Sequence, residues 1–365
     1  MLLELRVPTW SIGANRCISG ILQVWKATLM KAVVLRELGD PEKLRIETVP
    51  DPVLGPQEVL IRLKAAALNH RDVWIRTGRY AGIKLPIILG SDGAGEVSQV
   101  GTAVDPALQG RAVVIYPAMN WGNDDRVPGP GFKILGLPEN GTYAELVAVP
   151  ATHAFPKPAS LSFEEAAALP LALLTSYRAL VTRARIQAGE TCLVTGIGGG
   201  VSSFVLQLAL AIGARVLVTS GSEAKLERAK QMGAAGGANY RAPDWGNQIL
   251  DLCQGHGLQV VIDSAGGDTF EKALDLVSPG GRVVTYGATT GPARQLEVRR
   301  IFWKQLNVLG STMGTTHEFE SALVFYEANR LKPVVDRVFS LSDAPAAHRR
   351  MEESEQFGKI VLKIE

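Results

Sequence analysis

The chain has 365 residues, which fits two domains at the usual size of roughly 150 residues each, and its 46% hydrophobic and 20% charged content excludes a disordered or fibrous protein. Lys and Arg (38) exceed Asp and Glu (36) by only 2, with no dense basic run, which argues against nucleic acid or an anionic membrane as the main partner and for a small ligand. Three scattered cysteines, Cys17, Cys192 and Cys253, suit neither a disulfide framework nor a cysteine-rich metal site, and point to a reducing, cytoplasmic setting.

Residues 1–29 carry one acid, Glu4, against Arg6, Arg16 and Lys26, and those cations with Pro8 interrupt any signal-peptide core. This segment reads as an extension outside the fold, or as a start assigned upstream of Met30; a transit-like peptide is the rival reading. From Met30 short apolar runs alternate with Gly, Pro and Asp, the spacing of strands and turns. An irregular Gly/Pro/Asn stretch spans Met119 to Gly141 before TYAELVAVP returns to strand. Ser160 to Ala184 is predicted helical, with a break or kink at Pro170.

Between about Thr191 and Gly310 six strand candidates alternate with helical patterns, which predicts a parallel, doubly wound sheet, since parallel neighbours need long crossovers. The tail, with PVVDRVFSL and GKIVLKIE, is β-rich again. The α/β sheet therefore reads as an insertion into a second, β-rich domain. No stretch is apolar and long enough to span a membrane.

The sharpest local signal is TCLVTGIGGGVSSFVLQLALAIGARVLVTS. A strand ends at Gly196, Gly198, Gly199 and Gly200 turn the chain, and a helix starts at Val201. Outward amides at such a helix start, with glycines that admit a close pyrophosphate, make a dinucleotide cradle. Ser202 replaces the third glycine or alanine of the usual fingerprint, and is small enough for helix and strand to pack. At the end of the second strand, where an acid would hold a free ribose 2′-hydroxyl, stands Ser220, followed by Ser222 and Lys225. Hydroxyls and a lysine suit a 2′-phosphate, so NADPH is expected over NADH, with Tyr240 and Arg241 completing the pocket. The plain alternatives are a tight turn of another α/β protein, a helix cap spanning Ser220 to Glu223, and a solvated Lys225. The loops Gly287-Ala288-Thr289 and Gly310-Ser311-Thr312 sit at strand C-terminal ends, where doubly wound sheets bind ligands, and are expected beside the nicotinamide, Gly287, Ala288 and Ser311 foremost.

The order of LKAAALNHRD, LPIILGSDGAGEVSQVG, VTGIGGGV, VVIDSAGG, GGRVVTYGATTG, LNVLGSTMGT, KPVVDRVF and QFGKIVLKI resembles the medium-chain dehydrogenase/reductase superfamily from Met30 to Glu365. The resemblance implies a GroES-like β-rich catalytic domain (30–171 and 317–365), a Rossmann cofactor domain (172–316), a cleft active site between them and a homodimer. Zinc members carry a catalytic cysteine where Asn69 stands, Gly-His-Glu where Gly90-Ser91-Asp92 stands, and a third ligand near Leu171. Their structural zinc uses four cysteines in the lobe corresponding to Met119–Gly141. All these donors are missing, so no metal site is expected and the chain is similar to the zinc-independent quinone oxidoreductase and enoyl reductase branches.

In those branches a hydride passes to a quinone or to a C=C conjugated to a carbonyl, and the protein aligns the reactants and hydrogen-bonds the developing oxyanion. The resemblance implies roles for Asn69 as a donor in the cleft, Tyr80 as a proton donor and Thr175 beside the nicotinamide. Lys359 is in reach of the cofactor phosphates, or is an ordinary surface lysine. The bland counterparts are a turn-satisfying Asn69, a rim Tyr80 and a helix-capping Thr175. Two rival functions stay open: an alcohol or aldehyde dehydrogenase of the same superfamily, and a non-catalytic NADPH-binding regulatory or RNA-binding protein.

Overall fold

The computed structural model describes residues 28–365. The expected extension at residues 1–29 falls almost wholly outside them. The β-rich unit is organised on the long strand Glu58–Ala67, which pairs antiparallel with Asp92–Val100 on one side. On the other side Leu146–Pro150 takes its first half and Lys359–Lys363 its second. The chain's tail is thus built into the N-terminal sheet, and Val335–Ser340 extends it in parallel. Val59, Ile61 and Leu63 are buried at alternate positions, the pattern of a strand packed on a core.

The inserted unit is a parallel sheet of Thr191–Val194, Arg215–Ser220, Gly236–Asn239, Val260–Asp263, Arg282–Thr285 and Asn307–Gly310, in the spatial order third, second, first, fourth, fifth, sixth. Helices cover both faces, so Cys192, Leu193, Val194, Val260, Val261 and Ile262 are all fully buried, as a two-sided sheet requires. The strand order reverses between the first and fourth strands, the place where such sheets open a ligand crevice. A continuous core joins the two units: Ala65, Ala67 and Tyr116 from the β-rich part pack in one cluster with Leu173, Val194 and Phe204.

The connection between them carries the Pro170 break. Ser162 caps a short helix, Phe163–Ala167, accepting from the Glu165 amide at 3.1 Å while the Glu165 carboxylate accepts from the Ser162 amide at 2.9 Å. A second helix, Pro170–Tyr177, starts with proline in its first turn, where no amide proton is needed. That restart leaves the Leu171 amide without an intrahelical partner, and it becomes part of the site described next.

Candidate active site

A cleft of about 1130 Å³ runs between the two units, walled by the glycine turn, the ends of the parallel strands, Leu68–Arg71 and the tail segment around Ser354. On the inserted unit the helix Gly200–Ile212 begins one residue earlier than expected, with Gly199 as its cap. Gly196 (φ 64°) and Gly198 (φ 113°) adopt left-handed conformations that side chains resist. A Cβ on Gly198 would lie 2.8 Å from Lys225 Cδ, and one on Gly200 2.8 Å from Lys359 Cδ, so glycine keeps the cradle open at both. Ser202 does not disturb the turn: its buried hydroxyl lies 3.1 Å from the Gly196 carbonyl and 3.0 Å from that of Gly199. The turn lines the cleft at a helix start, which fits a pyrophosphate.

At the next strand end Ser220, Ser222, Lys225, Tyr240 and Arg241 line one end of the cleft. Gly221 lets Tyr240 and Arg241 fold over it, since a Cβ there would meet the Tyr240 hydroxyl at 2.7 Å. Glu223, the nearest acid in sequence, is turned away to accept from Asn239 Nδ2 at 2.7 Å. Lys225 Nζ donates to the Ser354 carbonyl at 2.6 Å, tying this end to the tail, and burial lowers its pKa. Glu353 and Glu355 lie on the same wall; Glu355 is held by Arg350 at 2.9 Å. The capping box spelled by Ser220 to Glu223 is not made: the helix Glu223–Gln231 starts after Ser222, whose side chain makes no capping bond.

The strand-end loops behave less uniformly. Val201 and Gly287 line the cleft, whereas Ala288 and Ser311 do not: Thr289, Thr290, Thr312 and Met313 form that wall. Asp263, at the end of the fourth strand, fixes the neighbouring loop by accepting from Thr195 Oγ1 at 2.7 Å and the Gly266 amide at 2.9 Å.

The opposite wall holds Asn69, Tyr80 and Thr175. Thr175 is buried mid-helix with its hydroxyl 3.9 Å from Met313 Sδ, so it does not cap that helix. Tyr80 is half-buried, with the Arg71 guanidinium 5.1 Å from its ring centroid. Asn69 precedes the helix His70–Arg76, and its amide donates to Asp72 Oδ2 at 2.8 Å; Asp72 also accepts from Tyr143 at 3.0 Å, a structural role.

Lys359 is the main departure from expectation. It is neither on the surface nor aimed at a phosphate: 2% of its side chain is exposed, and Nζ donates to Leu68 O (2.7 Å), Asn69 Oδ1 (2.7 Å) and Asp92 Oδ2 (2.9 Å). Those three bonds use all its protons. Asp92, fully buried, also accepts from Asn69 Nδ2 at 2.9 Å and, through Oδ1, from the freed Leu171 amide at 2.8 Å. The helix N-terminus at Pro170 thereby adds its partial positive charge to the carboxylate's partners. Asp92 drew attention in the sequence only as part of Gly90-Ser91-Asp92, and its pairing with a lysine 267 residues away has no local signal.

A doubly wound sheet with a glycine cradle, set across a cleft from a β-rich unit, defines a two-domain dinucleotide-dependent oxidoreductase architecture. The chain belongs to the medium-chain dehydrogenase/reductase superfamily. The family model described as alcohol dehydrogenase GroES-like domain matches residues 55–159, and that described as zinc-binding dehydrogenase matches 200–328. It is similar to the zinc-type alcohol dehydrogenase-like protein YogA of Leptosphaeria maculans, 34% identical over 88% of this chain and 94% of that one. A quinone oxidoreductase of Pseudomonas aeruginosa is 31% identical over 92% and 99%. The crystal structure of an NAD-dependent alcohol dehydrogenase superposes with TM-score 0.87 at 42% identity, covering 92% of this chain and all of that one. The 2-octenoyl-CoA carboxylase reductase CinF, in complex with NADP and 2-octenoyl-CoA, gives 0.83 at 26%, covering 92% and 87%.

The family description implies zinc, and the residues here do not fit it. At Asn69, Ser91 and Leu171, the positions that the family resemblance sets against zinc ligands, no side chain offers a thiolate or imidazole. Ser91 is engaged by Arg71 Nη1 at 2.7 Å and the Leu135 carbonyl at 2.8 Å, and both Asp92 oxygens are taken. Among the described residues no group of three His, Cys, Asp or Glu converges on one point, and no helix is long and apolar enough to cross a membrane.

Proposed function

We propose that the protein is a zinc-independent, NADPH-dependent oxidoreductase that transfers a hydride to a quinone or an α,β-unsaturated carbonyl compound. The observation that carries this reading is the cleft wall itself: the position of a catalytic metal is filled by an internally neutralised Asn69, Asp92 and Lys359 cluster, leaving donors suited to an enolate rather than a Lewis acid for an alcohol. When bound, reduced nicotinamide supplies the hydride. The chain's own residues do the rest. The turn at Gly198–Val201 binds the pyrophosphate, Ser220, Ser222, Lys225, Tyr240 and Arg241 take the 2′-phosphate, and Thr175 with Gly287 borders the ring. Asn69 donates to the substrate carbonyl as negative charge develops on it, and Tyr80 or water supplies a proton to the α-carbon of the enolate. The test is NADPH and NADH oxidation with a panel of quinones, enones and enals. Tight NADPH binding without turnover of any would favour a non-catalytic role.

The second reading is an NAD-dependent alcohol dehydrogenase, as one structural relative is described, and Glu353 on the adenosine-side wall is the observation in its favour. Glu223, the acid next to the strand end, is turned to Asn239, which weighs for NADPH.

We also propose a homodimer through the sheet edge. Among the described residues the edge strand Asn307–Gly310 is unpaired on one side, and beside it helix Val298–Trp303 exposes Phe302 (52%) and Trp303 (80%). A second copy continuing the sheet would cover both. Sedimentation should give twice the monomer mass, and Trp303→Glu should shift it toward monomer; a wild-type monomer at micromolar concentration contradicts this.

A further inference from the structure

We infer that Lys359 and Asp92 are positioning residues that lock the Asn69 carboxamide in one orientation and aim its remaining N–H into the cleft as the donor to the substrate oxygen. This rests on the reductase reading above, and it adds two residues that the site's resemblance to metal-free reductases does not assign.

A carboxamide has two nearly isosteric ends, and an asparagine facing a cleft is ordinarily free to turn either toward a ligand. Asn69 is not free. Its Oδ1 faces Lys359 Nζ, which can only donate, and its Nδ2 faces Asp92 Oδ2, which as a carboxylate can only accept. Turning the amide over would set oxygen against carboxylate and N–H against ammonium. One Nδ2 hydrogen goes to Asp92, and the other is left on a residue that lines the cleft. The ammonium draws charge toward Oδ1, which offsets the weakening that the Asp92 carboxylate imposes on the remaining N–H.

The lock is also fixed relative to the cofactor turn. The Asn69 amide is held by Asp72, the Lys359 stem lies against Gly200 at the start of the phosphate-binding helix, and the Leu171 amide pins the second Asp92 oxygen. A fixed donor at a set distance from the hydride source is what alignment of an enone requires. Because all three Lys359 protons are taken, its contribution passes through Asn69 and not through the phosphates.

The experiment combines Lys359→Met, Asn69→Ala and the double variant. Lys359→Met should lower kcat for enone reduction roughly tenfold to a hundredfold while changing the NADPH dissociation constant less than about threefold, and it should have little further effect once Asn69 is alanine. Additive losses, an unchanged kcat, or a loss of NADPH binding that accounts for the defect would overturn the inference. A readout without turnover uses heavy-nitrogen asparagine labelling. The two Asn69 Nδ2 protons should be distinct and slow to exchange in the wild type, and averaged or fast-exchanging in Lys359→Met. Equal protection in both overturns the lock. Asp92→Asn serves the same two measurements should Lys359→Met not fold. If the wild type reduces no member of the panel, the reductase reading fails, while the proton readout still decides whether the lock exists.

Discussion

Asp92→Ala should lower the stability of the β-rich unit by about 3–5 kcal/mol, among the largest losses a single substitution produces here. Removing the carboxylate leaves the Lys359 ammonium 2% exposed with only two neutral acceptors, the Leu68 carbonyl and Asn69 Oδ1. It also strands the Leu171 amide at the start of the Pro170 helix and one N–H of Asn69. Burying a pair of charges is itself a weak source of stability, so the loss reports the unpaired charge and not the net worth of the pair. Asp92→Ala combined with Lys359→Met should accordingly recover much of the loss. Chemical denaturation followed by a probe in the β-rich unit checks this; a single-variant loss below about 1 kcal/mol, or no recovery in the double variant, would contradict it.

Lys225→Ala should weaken NADPH binding by about one to two orders of magnitude and leave NADH within a few fold. A charge-assisted hydrogen bond to a phosphate is worth about 1.5–3 kcal/mol, and only one of the two cofactors carries the 2′-phosphate. Lys225 already donates to the Ser354 carbonyl, so its ammonium is held at this end of the cleft before any ligand arrives. Titration of nicotinamide fluorescence with both cofactors measures the ratio. Equal weakening of both would mean that Lys225 acts through the tail segment and not through the phosphate.

Features that depend on neighbouring residues were legible in the sequence. The glycine turn, the six parallel strands and the break at Pro170 all follow from local conformational rules, and each appears within a residue or two of its predicted place. Loop residues at strand ends were legible only as groups. Which of them face the cleft depends on the loop's path, which is why Thr289 and Thr312 line it while Ala288 and Ser311 do not. The cluster at Asn69 was half visible: the missing metal ligands could be read, but not what replaces them. Lys359 reaches Asn69 because its strand pairs with Ala65–Ala67, a contact across almost the whole chain. The irregular stretch after Met119 was likewise opaque. It is held by the buried Arg178, which donates to the Asp125 and Arg126 carbonyls and pairs with Glu318 at 2.6 Å, and it sets Ile134 on the cleft wall.

Hydride transfer from NADPH without a metal can be checked by the steady-state rate of enone or quinone reduction on the full chain before and after exhaustive treatment with a strong chelator, with the zinc content measured alongside. The rate should be the same in both preparations, with zinc far below one atom per chain. A rate that disappears on chelation and returns with one equivalent of zinc would contradict it.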